Sequence, residues 1–307
     1  MKYYLPDSNS TLDSYRIFSD VEYIVSDIDG TLTLGSAPII EQIKKKTNRL
    51  KRKKVMTTIA TGRPYSGAYN VIQQLGIELG MPLVVYNGGV LIEHNTGRII
   101  KEYVISEKSA NRIISIVSKE NVGIYVYTCD VLPFNMYNIL NQYRLKENVY
   151  YAGSKKKSVD INGKKVKMLT GECIRNEKIV SMLIERKSIS SEIYNQVMRC
   201  LESDSEISST DSGNGFIEIR AIQDKKSIVI DELKDRCIMK KSMGKILAIG
   251  DNDNDVDMLK AADISVAVAN SSLEAIKVSD YLCGRNSAEG YLDMLTVVEN
   301  AKKYFKQ

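Results

Sequence analysis

Asp27 and Asp29 stand one residue apart at the end of the apolar run Tyr23-Ile24-Val25, and Asp251 and Asp255 follow a second such run, Ile246-Leu247-Ala248-Ile249. A carboxylate can attack an electrophile, carry a proton or bind a cation. Clustered acids repel one another and are costly to bury unless a cation or strong hydrogen bonds hold them. A hard divalent cation with oxygen ligands is the usual remedy. Mg²⁺, which keeps several waters and needs few carboxylates, suits one acid from each of two strand ends. Asp251 and Asp255 are four apart, so one helical turn puts both on the same side. A third apolar run, Val55 to Ala60, ends in Thr61-Gly62-Arg63-Pro64, whose hydroxyl, glycine and guanidinium suit phosphate oxygens.

Apolar runs bounded by turn residues read as buried strands. In open parallel α/β sheets the chemistry lies just beyond the carboxyl ends of such strands. Helical patterns follow them at 39–54, 65–75 and 255–262, and another covers 225–234. From about Ile105 the texture changes. An amphipathic helix is expected over 106–120 with Ser106 as N-cap. Strands follow at Ile124–Tyr127, Ile179–Ile184 and Gly215–Ile219, with a helix at Ser190–Leu201 and a lysine-rich stretch containing the turn Asn162-Gly163. The expected architecture is α/β: a three-layer core with a parallel sheet, 21–103 and 220–307, carrying an inserted α+β domain, 104–219. Residues 1–20 read as a polar leader.

The bulk numbers exclude several classes. With 307 residues, 43% apolar and 26% charged, the composition is that of an ordinary globular protein. No apolar run is long enough to span a bilayer, and the first twenty residues lack a secretory signal layout. Five cysteines, an odd number without a CxxC pair, point to reduced thiols and a cytoplasmic location. The single histidine, His94, lies in a turn composition, so Ser-His and Cys-His systems lack a base. Net charge is +5, but the runs Lys44–Lys46, Lys51–Lys54 and Lys155–Lys157 have no interleaved aromatics, so no nucleic-acid partner is expected. An EF-hand needs glycine sixth and glutamate twelfth; counting from Asp251 gives Val256 and Ala262, and from Asp27 gives Leu32 and Pro38. There is no P-loop and no GxGxxG, and an Asp-x-Asp pair is too local for a glycosidase.

Asp27-Ile28-Asp29-Gly30-Thr31-Leu32-Thr33, Ala60-Thr61-Gly62-Arg63-Pro64, Asn87-Gly88-Gly89 and Gly250-Asp251-Asn252-Asp253-Asn254-Asp255 together resemble the haloacid dehalogenase superfamily. Within it they look like the Cof-type phosphatases, whose large C2-type cap is inserted between the second and third motifs. The resemblance runs from about Val21 to the C-terminus. It implies a Rossmann-like core and Mg²⁺-dependent hydrolysis of a small phosphorylated metabolite, a sugar phosphate by default. By the same resemblance Asp27 is the nucleophile that becomes an aspartyl-phosphate, and Asp29 protonates the leaving alcohol and then activates water. Mg²⁺ would bind the Asp27 carboxylate, the Asp29 backbone carbonyl and Asp251, with Asp255 supporting through water or directly. Thr61 and a lysine would hold the phosphoryl oxygens. Gly30, Thr31, Gly62, Arg63, Asn87, Asn254 and Asn270 are the implied substrate-side residues.

Two departures from the family pattern are visible. The lysine segment reads Ile222-Gln223-Asp224-Lys225-Lys226-Ser227 without the usual glycine; Lys225 aligns best, with Lys226 where a small residue is usual, and either can point inward. Ala269-Asn270-Ser271 stands where the subgroup has Gly-Asn-Ala. Bland readings stand beside each assignment. In isolation Asp27 and Asp29 read as turn or cap aspartates, Thr61 as a helix cap, Arg63 as a surface ion pair and Asn87 as a turn residue. Asp253 and Asp257 read as solvated helix-start charges. The same nucleophile also serves a phosphotransferase or mutase, and the fold also accommodates a non-catalytic regulator that binds a phosphate ligand.

Overall fold

The computed structural model describes residues 3–34, 37–96, 98–120, 122–131, 145–153, 158–160, 164–169, 173–211, 215–240 and 244–305. The Asn162-Gly163 turn, the Lys155–Lys157 run and Gly97 lie outside the described residues. In chain order the elements begin β1 (Tyr3–Tyr4), α1 (Leu12–Arg16), β2 (Val21–Ser26), α2 (Glu41–Arg52), β3 (Met56–Ile59), α3 (Tyr65–Leu75), β4 (Pro82–Val85) and β5 (Val90–Glu93). They continue with β6 (Ile99–Glu102), α4 (Glu107–Ser118), β7 (Ile124–Val131), β8 (Leu145–Ala152), β9 (Lys167–Met168), β10 (Ile179–Glu185), α5 (Ser191–Glu202), β11 (Ile207–Asp211) and β12 (Phe216–Ala221). The last are α6 (Ile228–Lys240), β13 (Lys245–Gly250), α7 (Val256–Ala261), β14 (Ile264–Ala267), α8 (Leu273–Val278), β15 (Tyr281–Leu282) and α9 (Ser287–Tyr304).

The chain packs as two units. One comprises Met1–Gly62, Ala68–His94 and Lys225–Gln307, the other Arg63–Gly67 and Asn95–Asp224. Against the sequence boundaries at 104 and 219, the packing changes hands at Asn95 and Lys225.

The first unit is built on a parallel sheet in the order β1-β15-β14-β13-β2-β3. Its central strands are buried at nearly every position rather than at alternate ones, because helices cover both faces. One group of helices pairs α2 and α1 with α9, and another runs α6, α7, α8. Register decides the chemistry. Val25 stands opposite Ala248 and Ser26 opposite Ile249, so β2 and β13 end level with each other. The amide of Asp27 donates to the carbonyl of Ile249 at 3.1 Å, carrying the alignment one residue past the strands.

Residues 1–20, expected as a polar leader, hold β1 and α1. Tyr3 and Tyr4 extend the sheet by pairing with Tyr281 and Leu282, and the buried Tyr15 ring meets Tyr304 edge-on at 5.6 Å. The Tyr15 hydroxyl donates to the carbonyl of Asp7 at 2.7 Å. Apolar tyrosine faces with satisfied hydroxyls give this segment something to bury that its polar composition hides.

The second unit is a mostly antiparallel sheet, β11-β12-β10-β7-β8-β9, with only the β8–β9 pair parallel. Here the residues of the apolar core recur with the two-residue period, although β10 and β12 are buried at nearly every position. Ile124, Val126, Met182, Ile184, Ile217 and Ile219 join Ile113, Ile114, Ile193 and Val197 of α4 and α5 in one apolar core. Ser106 caps α4 by accepting from the Ser109 amide and Ser190 caps α5 by accepting from the Ile193 amide, each at 3.2 Å and each worth about 1 kcal/mol. No helix among the described residues is long and apolar enough to cross a membrane.

Candidate active site

Three of the predicted acids come together beyond the ends of β2 and β13. Asp27, Asp251 and Asp255 each offer a carboxylate oxygen, all within 4.8 Å of one another. Asp27 and Asp255 are buried, at 5% and 0% exposure. Between them lies the ammonium of Lys226, whose Nζ donates to Oδ1 of Asp27 at 2.6 Å and to Oδ1 of Asp255 at 2.7 Å. Its side chain has no exposed surface. Lys225, the better-aligned lysine, is exposed.

The backbone makes that choice. Gly88 sits at φ 114°, and a Cβ there would collide with the main chain of Lys225. With that strip of backbone held against Gly88, the Lys226 side chain enters the acid cluster. The Ser227 amide donates to Oδ2 of Asp257 at 3.0 Å, fixing the approach to α6. Asp257, expected as a solvated charge, is therefore a backbone anchor. Asp253 instead accepts from the Ser272 hydroxyl at 2.6 Å in an exposed position.

Each acid is differently occupied. Oδ2 of Asp255 accepts from the amides of Asp251 and Asn252 at 2.9 and 3.1 Å. Since its Oδ1 holds Lys226, Asp255 ties the lysine to the loop that carries Asp251. Oδ1 of Asp251 accepts from the Thr31 hydroxyl at 2.7 Å. The other oxygen of Asp251 turns to the space beside the α-carbon of Gly30, where a Cβ would collide with it, and Gly30 adopts φ 89°. Asp29 is exposed, on a tight turn in which the Gly30 amide donates to the Thr33 carbonyl at 2.8 Å.

Burial pushes Asp27 up to about 8, against the pull of Lys226, with Asp255 and Asp251 pushing the same way. Burial also pushes Asp251 up to about 6, opposed by the Thr31 hydrogen bond. Burial pulls Lys226 down, but Asp255 and Asp27 outweigh it and hold the amine above its ordinary range, so it is an ammonium. Once ionised, the three carboxylates outnumber the single ammonium, so a second cation would favour their ionised state. All the free donors are oxygens, and the open oxygen of Asp251 faces room that only a glycine leaves. That set fits a hard divalent cation.

The other predicted residues divide. Thr61 is fully buried; its amide donates to Val84 O at 3.0 Å and its carbonyl accepts from the Asn87 amide at 2.9 Å. Asn87, at φ 55°, accepts on its side-chain oxygen from Nδ2 of Asn254 at 2.9 Å, and its amide group fills the space a Cβ on Gly62 would need. Thr61, Gly62, Asn87 and Asn254 thus form one cluster. Asn270 donates to the Gly30 carbonyl at 3.0 Å. Arg63 packs with the second unit, its Nη1 3.5 Å from the Gly67 carbonyl. Sequence reasoning missed Ser287. At φ 40° and 1% exposure, its hydroxyl donates to the Gly30 carbonyl at 2.7 Å and its amide to Asn270 at 2.7 Å. The only local sequence signal for it is Asn286 and Ser287 ahead of an apolar helix, which reads as a plain cap.

A parallel α/β core with an inserted second unit, and acids meeting a buried lysine at its strand ends, defines a class of hydrolase. The haloacid dehalogenase-like hydrolase family profile matches residues 24–295, and the chain belongs to that family. The chain is 25% identical over 287 residues to a 5-amino-6-(5-phospho-D-ribitylamino)uracil phosphatase of Bacillus subtilis, covering 89% of this chain and 97% of that one. It is 27% identical over 272 residues to a phosphoglycolate phosphatase of Methanobrevibacter smithii, covering 88% and 95%. The crystal structure of a haloacid dehalogenase-like hydrolase from Bacteroides thetaiotaomicron superposes with a TM-score of 0.68 at 20% identity, covering 93% of this chain and all of that one. The family description is that of a hydrolase, and both of these relatives are named as phosphatases.

Proposed function

We propose that the protein hydrolyses a small phosphate monoester, by default a sugar phosphate, through an aspartyl-phosphate on Asp27, with Mg²⁺ as cofactor. The observation that carries this reading is the Lys226 ammonium shared between Asp27 and Asp255, beside Asp251, at the ends of two paired strands. Lys226 takes one oxygen of Asp27 and orients the carboxylate, leaving the second oxygen to attack phosphorus. As the P–O bond to the alcohol breaks, the proton for the leaving oxygen comes from Asp29, whose exposed position lets it exchange protons with solvent. Water then attacks the acyl-phosphate, giving up its proton to Asp29 and releasing inorganic phosphate and free Asp27.

Lys226 and the Thr61 hydroxyl supply positive charge and hydrogen bonds to the phosphoryl oxygens as charge redistributes. The residues that would hold Mg²⁺ are Asp27, Asp251 and the backbone carbonyl of Asp29, with Asp255 acting from behind. When bound, the ion offsets the repulsion between the Asp27 carboxylate and the anionic ester. Asn270 and Ser287 grip the Gly30 carbonyl and so fix the turn that carries Asp29.

The test is phosphate release from a broad panel of phosphate esters by the purified chain with Mg²⁺. Turnover that disappears in Asp27→Asn supports the reading. A panel with no turnover under any divalent cation defeats it.

A further inference from the structure

The acid cluster occupies the carboxyl ends of the strands in the first unit. The amino ends of those strands are built differently, and every residue that follows belongs to that same unit. β2 is six residues long, so its amino end lies about 20 Å from Asp27. Val21 and Lys245 stand in register there, α2 runs into β3 through Lys53 and Lys54, and Gly80 and Met81 lead into β4.

This end carries a row of four cations, Lys51-Arg52-Lys53-Lys54, at the close of α2. Lys51 pairs with Glu78 at 3.2 Å, and the Lys53 ammonium donates to the Glu299 carbonyl at 3.2 Å. Arg52 and Lys54 are exposed and have no acidic partner among the described residues. It also carries bare apolar side chains. Ile238 and Met239, in the last turn of α6, are 73% and 83% exposed, and Leu79, in the loop before β4, is 73% exposed. One such residue on a surface is ordinary; several on one face mark a contact site.

Hydrogen bonds join these segments into that one face. Lys51 donates to the Gly76 carbonyl at 3.3 Å and Arg236 to the Gly80 carbonyl at 2.6 Å. The 76–80 loop is thus held between the ends of α2 and α6, with Leu79 exposed on it. Beside Ile238 a groove of about 430 Å³ reaches Ile246 and is lined by Lys234 and Lys245. Its one acid, Asp263, accepts from the Ile246 amide at 2.8 Å. Asp20 lies 3.9 Å from Lys245 and Asp235 is exposed on α6, so the excess of positive charge sits on the α2 side.

We propose that this end of the first unit docks on an anionic lipid bilayer, with the cations at the headgroups and Leu79, Ile238 and Met239 entering the apolar boundary. The chain lies on such a surface and does not cross it. Nucleic acid would use the cations alone. A second copy in a two-fold contact would set one row of cations against another. A bilayer satisfies the charge and the apolar residues together. Docked this way, the carboxyl ends of the strands point away from the lipid, so the inference stands independently of the phosphatase reading.

The test is co-sedimentation of the full chain with vesicles of phosphatidylcholine, alone or with about 30% phosphatidylglycerol, in about 0.1 M salt. Binding to the anionic vesicles is expected to be at least about tenfold tighter, and to fall about tenfold or more in about 0.5 M salt. Arg52→Glu, and separately Ile238→Ser with Met239→Ser, should each weaken it about fivefold or more with an unchanged circular dichroism spectrum. Absence of binding to anionic vesicles, or equal binding to neutral ones, overturns the proposal. Binding that Arg52→Glu weakens and the apolar double variant leaves untouched also overturns it, because a polyanion without an apolar layer gives that pattern. A dimer seen by light scattering without vesicles, and abolished by the apolar double variant, overturns it in favour of self-association. If a variant does not fold, the comparison of the two vesicles with the unaltered chain decides.

Discussion

The Lys226 ammonium lies 2.6 Å from Oδ1 of Asp27, with none of the lysine side chain exposed. An isolated buried ammonium would be expensive; this one is held by two carboxylates that would otherwise face each other. Lys226→Ala is therefore expected to lower stability by about 3–5 kcal/mol in denaturant unfolding, the usual cost of removing one partner of a buried pair. It should lower turnover by about 100- to 1,000-fold. Lys225→Ala, at an exposed side chain, should change stability by less than about 0.5 kcal/mol and leave turnover near normal. Equal mild effects in steady-state kinetics of the two variants would remove Lys226 from the site.

Asp27→Asn keeps the shape of the side chain and one acceptor for Lys226 while removing the proposed nucleophile. Phosphate release should fall at least about a thousandfold, with the circular dichroism spectrum unchanged. Near-normal turnover would reject Asp27 as nucleophile.

The mutual repulsion that raises Asp27 and Asp251 predicts dependence on a divalent cation. Chelation should abolish hydrolysis and Mg²⁺ should restore it. Gly30→Ala tests the same feature sterically, because its Cβ would strike the Asp251 carboxylate and its φ of 89° disfavours any side chain. The variant should need a higher Mg²⁺ concentration for half-maximal rate, by about tenfold or more, and a metal titration of the rate checks it.

His94 is 2% exposed, and burial pulls its imidazole down to about 4. It is the only histidine, so its ring resonances are unambiguous in a proton spectrum recorded against pH. They should titrate near pH 4 rather than near 6.5. Below pH 6.5 the unfolded chain takes up a proton that the folded chain refuses. The contribution of His94 to stability is therefore complete above 6.5 and is lost as pH falls towards 4. A stability profile in His94→Asn should be flatter across that window.

Much of the core was legible because its strands end in the residues proposed to do the chemistry. The apolar runs before Asp27 and Asp251 told of burial on both faces, and α3 spans Tyr65–Leu75 as its pattern predicts. Acids so close together pointed to a shared cation or strong hydrogen bonds. The identity of that lysine was hidden, since Lys225 and Lys226 are chemically alike and the deciding contact is a backbone approach at Gly88, far away in sequence. Ser287 escaped for a related reason: its partners, Gly30 and Asn270, belong to other loops, and a serine before a helix looks like a cap. Asp257 looked solvated because its partner is a main-chain amide, which no residue name advertises. In the second unit the apolar runs marked the strands, but not that Glu218 and Arg220 between their apolar positions are buried as well.

The adjacency of β2 and β13 also orders events during synthesis. The strand that presents Asp27 is made well before its neighbour β13, which emerges only after the whole stretch Asn95–Asp224 has left the ribosome. Until then β2 has a bare edge, and Asp27 lacks the strand end that carries Asp251. The second unit, with its own sheet and apolar core, can mature meanwhile, so the acid cluster assembles in the same step that pairs β2 with β13.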